Sequence, residues 1–205
     1  LLQRKEKNSQ SVLVSLTGPL IVVALCLLSL IPSDDFLRYQ NRLVWQGEIW
    51  RLVTASFTHV SLSHLLLNLA GVSTLWLLHG DYYSTWRFLF IVLISACGTT
   101  IGLLLFFESV TWYVGLSGAL HGVFVWGVVR DFEKGRKTAW LLSLGLVIKL
   151  GYEMIWGADP SIETLIGSKV VVAAHLCGTI SGFLLVAPRF ILQRLKAPKH
   201  LGAGT

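Results

Sequence analysis

The sequence predicts an all-α membrane protein, a six-transmembrane-helix bundle with a short central fourth helix. Three observations predict it. Hydrophobic residues make up 54% of the 205 residues and charged residues only 14%, against about a quarter charged in a soluble domain. Six apolar runs follow one another, five of them near the ~20 residues a helix needs to cross a bilayer. Lys and Arg alternate in density between successive loops, and eight Trp and five Tyr suit two interfacial belts. The net charge of +6 is therefore read as membrane orientation, with no nucleic-acid partner.

Residues 1–11 are a polar, basic tail with Arg4, Lys5 and Lys7. Residues 12–31 form the first span, with Gly18-Pro19 as a tolerated kink. This run ends without a small-residue cleavage site and is expected to be retained. Residues 32–56 form a long loop rich in aromatic and apolar residues, including Phe36, Trp45 and Trp50, expected to lie in the interface. Residues 60–78 are the second span and 87–107 the third, interrupted at Gly98-Thr99-Thr100. After the loop 108–115, residues 117–129 are the short fourth helix. A charged turn at 130–137 leads to the fifth span, 139–156. A loop at 157–168 precedes the sixth, 169–187, and a basic tail covers 188–205. The membrane domain is thus 12–187. Twelve Lys and Arg fall on the side of the two termini and four on the other. Both termini are expected in the cytoplasm, and the long first loop outside.

Cys26, Cys97 and Cys177 all lie in apolar runs. They read as packing residues, not a disulfide framework. The sequence has no His-Glu-x-x-His pattern, and no metal or cofactor is expected. Polar groups inside spans are costly and each needs a reason. His64 and Asn68 share a face of the second span, and Ser117 and His121 a face of the fourth. His175 lies six residues into the sixth, roughly 9 Å deep. All five fall in the outer half of the membrane.

This set suits acyl transfer. A serine hydroxyl becomes nucleophilic when a base within hydrogen-bond reach takes its proton, and His175 can do so from a facing helix. His64, Asn68 and the backbone N–H groups opening the fourth helix are available to an oxyanion. Gly115 and Gly118 permit close backbone approach to a substrate. Taken singly, the residues have plainer readings. Gly118-x-x-x-Gly122 and Gly178-x-x-x-Gly182 are packing motifs in any membrane protein, and a lone intramembrane serine or histidine is commonly interhelical glue. Lys149 and Glu153, four apart on the fifth span, form a mutually neutralising pair, or Glu153 orients a catalytic histidine. It is the agreement of residue type, face and depth that favours chemistry.

Four motifs, in order along residues 40–187, resemble the rhomboid family of intramembrane serine proteases. They are Trp50-Arg51 in the first loop; His59-Val-Ser-Leu-Ser-His64-Leu-Leu-Leu-Asn68 in the second span; Gly115-Leu-Ser117-Gly118; and Ala174-His175-Leu-Cys-Gly178-Thr-Ile-Ser-Gly182 in the sixth. The resemblance implies a serine endopeptidase with a Ser117–His175 dyad and no acidic third member. His64, Asn68 and the Ser117 N–H would stabilise the oxyanion, and His59 would support the first loop. Many rhomboids carry an aromatic residue four after the serine, where this chain has His121.

Ser117-Gly-Ala-Leu-His121-Gly122 resembles the rhombosortase branch. Its members are thought to cleave carboxyl-terminal tails made of a Gly-Gly motif, a hydrophobic helix and basic residues. That implies the bacterial inner membrane, an active site facing the periplasm, and membrane-protein substrates entering sideways between the second and fifth helices. His121 is also an alternative base; otherwise it orients or stacks on His175. Two rival readings are a non-cutting rhomboid-like binder of membrane segments, whose kind usually lacks the serine or histidine, and a small transporter, which should show internal repeats.

Overall fold

The computed structural model describes residues 16–28, 30 and 34–196, with backbone alone at 34 and 189–196. The expected 1–11 tail and residues 197–205 of the terminal one lie outside the described residues. The chain is a mostly helical membrane protein. Its longer helices are α1 (Leu16–Leu28), followed after three short helices by α5 (Leu62–His79), α6 (Thr85–Phe106), α7 (Ser117–Glu133), α8 (Thr138–Trp156) and, beyond the short α9 (Pro160–Ile166), α10 (Val172–Lys196). Three described segments are long and apolar enough to cross a membrane: Leu62–Tyr82, Thr85–Phe106 and Thr138–Trp156. Leu16–Leu28 and Val172–Pro188 are shorter apolar helices.

The structure departs from the expected boundaries in instructive places. α6 is unbroken at Gly98-Thr99-Thr100. The Thr99 hydroxyl donates to the Ser95 carbonyl one turn back at 2.7 Å, and the Thr100 hydroxyl donates to the Leu52 carbonyl in the first loop at 2.6 Å, so neither polar side chain interrupts the helix. α7 continues a turn beyond Val129, through Arg130 and Asp131 to Glu133. Its charges are held in place, because the Tyr82 hydroxyl donates to Asp131 at 2.7 Å and Arg130 pairs with Glu133. α10 starts three residues later than expected and runs through Pro188. His175 is therefore one turn into its helix, three residues after Val172.

The long first loop is ordered as α2 (Asp34–Leu37), α3 (Asn41–Trp45), α4 (Arg51–Thr54) and a 3-10 turn (Ala55–Phe57). It also contributes β1 (Tyr39–Gln40), paired antiparallel with β2 (Trp112–Tyr113) just before α7, so the fold is not purely helical. The loop's anchor is Arg51, 3% exposed. Its guanidinium meets Glu48 at 2.6 Å and donates to the carbonyls of Asp35 and Arg38, both at 2.7 Å. The Trp50 indole stacks on Phe36 and donates to its carbonyl. Arg51→Ala should lower stability by about 2 kcal/mol, the scale of hydrogen bonds to a charged group, read as an earlier thermal unfolding in detergent.

The core sits around α7, which is buried on nearly every side (Ala119, Leu120, Val123, Val125, Trp126 and Val128 among others). It packs on α5, α6 and α10. The α7–α10 seam is the closest in the bundle. A Cβ at Gly178 would fall on the Gly118 carbonyl, and one at Gly182 on the Gly122 backbone. Backbone contact of this kind is what small-xxx-small spacing permits. By contrast α8 presents Val147, Ile148, Ile155 and Trp156 outward, each more than 60% exposed.

Candidate active site

Ser117 is the first residue of α7, and the loop before it is clamped on three sides. Gly115 sits at φ +121°, a conformation open to glycine. Its N–H donates to the Ala55 carbonyl at 3.0 Å, and its carbonyl accepts from the Tyr113 hydroxyl at 2.5 Å. Tyr113 also accepts from the Gly118 N–H at 3.4 Å. Burial pushes the Tyr113 phenol up to about 12, so it remains a hydroxyl that both donates and accepts. No motif marks Tyr113 as part of the site; it lies four residues before Ser117, and the β1–β2 pairing fixes its backbone there.

The Ser117 hydroxyl lies 3.0 Å from His175 Nε2, across the α7–α10 seam. The other ring nitrogen, Nδ1, lies 2.8 Å from Glu153 Oε2 on α8. Glu153 Oε1 accepts from Lys149 Nζ at 2.7 Å. An ionised carboxylate can only accept, so the His175 Nδ1 carries a proton. In the neutral ring, Nε2 is then the acceptor facing the serine. Lys149 and Glu153 do pair, but the carboxylate also holds His175, so an acidic third group is in place where the resemblance implied none.

His121 stacks on His175, with ring centroids 4.3 Å apart and planes at 19°. Its Nδ1 donates to the Ser117 carbonyl at 2.7 Å. The i+4 position thus puts its ring on the backbone of its own helix, and it is His175 that reaches the hydroxyl.

His64 and Asn68 face Ser117 from α5. The Ser61 hydroxyl accepts from the His64 N–H and caps the helix there. A Cβ at Gly115 would come within 2.7 Å of the His64 ring, so the loop glycine makes room for this histidine. His64 Nδ1 and Asn68 Nδ2 are buried without a hydrogen-bond partner among the described residues. Unpaired buried polar atoms beside a cavity are expected where a ligand completes the set. His59 does not reach Ser117. It meets His64 edge to face at 4.9 Å and lies 3.0 Å from the Phe57 carbonyl. Burial and the neighbouring His64 hold it down to about 4, so it is neutral near pH 7, and its contacts place it behind the His64 ring.

Gly118 serves packing. A Cβ there would meet Thr99 and the Ala174 carbonyl. The close approaches seen at these two glycines are to the His64 ring at Gly115 and to Thr99 and the Ala174 carbonyl at Gly118. The cavity itself holds about 780 Å³ and runs between α5 and α8, with Ser117, His64, Asn68, His121, Glu153 and His175 at one end. Its walls beyond are apolar, from Leu67, Leu78, Leu141 and Leu146 among others. Ile162 and Ile166 of α9 cover part of the polar end. Among the described residues, no group of three or more His, Cys, Asp and Glu is placed to hold a metal ion.

Comparison with known proteins gives a consistent picture. Residues 46–191 match the model of the rhomboid domain family. The chain is 28% identical over 154 residues to the rhomboid protease GluP of Bacillus subtilis (strain 168), an alignment covering 72% of this chain and 27% of the relative. It is 28% identical over 189 residues to the rhomboid protease GlpG of Yersinia pestis (strain Pestoides F), covering 87% and 63%. The chain thus spans less than two thirds of the length of either relative.

Proposed function

The chain belongs to the rhomboid family, and from that premise we propose that it is an intramembrane serine endopeptidase. The observation that carries the proposal is the 3.0 Å contact between Ser117 Oγ and His175 Nε2 at the end of a cavity with apolar walls. In this reading the six longer helices are six crossings, both termini are cytoplasmic, and the Ser117 end of the cavity faces the periplasm of a bacterial inner membrane.

A substrate segment seated between α5 and α8 unwinds at the polar end of the cavity, because a helical carbonyl is already hydrogen-bonded. Ser117 Oγ attacks the scissile carbonyl carbon while its proton passes to His175 Nε2. The oxyanion is met by donors from His64 and Asn68, both of which line the cavity and carry a buried nitrogen with no hydrogen-bond partner among the described residues. His175 then gives its proton to the leaving nitrogen as the C–N bond breaks. Water, activated by the same ring, hydrolyses the acyl-enzyme. His59, Gly115 and Gly118 support the site without entering the reaction.

Within the family, Ser117-Gly-Ala-Leu-His121-Gly122 favours the rhombosortase branch, and so a substrate tail of Gly-Gly, hydrophobic helix and basic residues. The test is cleavage of a model membrane protein ending in such a tail, by wild type and Ser117→Ala side by side. Cutting near the glycines by wild type alone supports both mechanism and specificity. No cutting, with Ser117 labelled by a serine-reactive phosphonate, means a protease with another substrate. Neither cutting nor labelling favours a non-proteolytic binder of membrane segments.

His121→Tyr should keep activity within about tenfold, because an aromatic ring there can still stack on His175. His121→Ala should lose more. An inactive His121→Ala beside an active His175→Ala would reverse the assignment of the base.

A further inference from the structure

We propose that Glu153 is a positioning residue for the Ser117–His175 pair, so that the reacting unit is a serine–histidine–glutamate relay drawn from α7, α10 and α8. The inference rests on the serine protease reading above and departs from the two-residue site that the family resemblance implies.

The geometry is the first argument. Both ring nitrogens of His175 are engaged, Nε2 with Ser117 at 3.0 Å and Nδ1 with Glu153 at 2.8 Å. A neutral imidazole can carry its proton on either nitrogen, and only the Nδ1–H form leaves Nε2 free to receive the serine proton. Glu153 selects that form. It also lies where positive charge develops on the ring once Ser117 has given up its proton, and a carboxylate at hydrogen-bond distance favours that charge. The proton on Nδ1 stays there throughout. The proton that moves goes from Ser117 Oγ to Nε2 and then to the leaving nitrogen. The Oγ–C bond forms, the C–N bond breaks, and the relay needs no further reactant.

The second argument is elimination among the groups that surround the ring. His121 covers its face, and its own Nδ1 is committed to the Ser117 carbonyl. It can hold the plane of His175 but not its tautomer. His64, on α5, abuts Gly115 and His59. Lys149 touches Glu153, with Nζ on Oε1. Among the described residues, Glu153 is the group that meets Nδ1.

The third argument is the cost of the arrangement. A Lys–Glu pair on a lipid-facing helix would be neutralised with both side chains turned towards water. Here the Lys149 side chain is 46% exposed and that of Glu153 only 13%. The carboxylate is turned inward and divides its two oxygens between the lysine and the histidine. Lys149 is then the counter-charge that lets a carboxylate sit in an apolar helix, and His175 is what the carboxylate is there to hold.

The test uses the full chain, purified in detergent, with wild type, Ser117→Ala, His175→Ala, Glu153→Gln and Glu153→Asp. Two rates are read: labelling of Ser117 by a fluorophosphonate, which needs no knowledge of the substrate, and cleavage of the tailed model protein. Glu153→Gln keeps the size of the side chain and removes its charge. It should slow labelling and kcat about 100-fold or more, with KM within about threefold. Glu153→Asp should recover part of the loss, which a purely structural role for the side chain would not produce. Labelling of Glu153→Gln within threefold of wild type, while Ser117→Ala and His175→Ala stay unlabelled, overturns the relay and leaves the serine–histidine reading intact. A wild type that does not label overturns both. Should Glu153→Gln unfold, ¹⁵N spectra of histidine-labelled wild type still decide: a His175 signal with Nδ1 protonated is expected, and one with Nε2 protonated overturns the relay.

Discussion

Ser117→Ala should fold as wild type does, bind no serine-reactive phosphonate, and cleave a membrane substrate at least ~10⁴-fold more slowly. The substitution removes one oxygen, half-buried at the cavity wall, and breaks no contact that holds the helix. Ser117 opens α7 through its backbone, and the packing of that turn comes from Gly118, Ala119 and Leu120. His175 keeps its bond to Glu153, so no buried nitrogen is newly stranded at Nδ1. His175→Ala should be as inactive, because neither member of the pair acts without the other. Turnover like that of wild type in either purified variant would remove the protease assignment.

Gly178→Val should be the most damaging single change to the fold. A Cβ at Gly178 falls on the Gly118 carbonyl and carbon, both backbone atoms, so no side chain can swing aside. α10 has to move away from α7. Overpacking of a rigid site costs about 1–3 kcal/mol, and two valine methyl groups place this change at the upper end. The displacement also acts on the chemistry. His175 is one turn before Gly178 on α10, and Ser117 is next to Gly118 on α7, so separating the glycines lengthens the 3.0 Å contact. Thermal unfolding and phosphonate labelling should therefore fall together. Gly151→Ala is the control. A Cβ there meets nothing within 4 Å, and the change should be neutral or stabilise by up to about 1 kcal/mol.

Much of the site was legible before the fold. A serine between glycines, a histidine and an asparagine one turn apart, and a histidine ahead of a Gly-x-x-x-Gly are local patterns, and they identify Ser117, His64, Asn68 and His175. For Glu153 the sequence left two readings open, half of an i,i+4 pair with Lys149 or the group that orients a catalytic histidine. Which of its oxygens meets which partner depends on how far α8 is turned against α10, two helices whose facing residues are 22 apart. Gly118 leaves a choice open for a related reason. A glycine beside a serine permits close approach, but whether to a substrate or to Thr99 and Ala174 is decided by which face of α7 meets α6 and α10.

The sequence by itself determined that this is a membrane protein of helices, since run length and scarcity of charge leave a chain little else to form in lipid. It also singled out Ser117 and His175 as the proposed nucleophile and base, and the two side chains lie 3.0 Å apart. The tertiary structure alone decided where helices stop, as at α7 and α10, where Asp131 and Pro188 lie beyond the expected ends. It decided that β1 meets β2, which fixes the backbone of Tyr113, whose hydroxyl meets the Gly115 carbonyl and the Gly118 N–H. It also turned Glu153 inward to His175. Hydrophobic pattern specifies which segments enter the bilayer. The rotation of one helix against another is set by contacts between residues distant in the chain, here by Gly118 against Gly178 and Gly122 against Gly182, and no local pattern carries it.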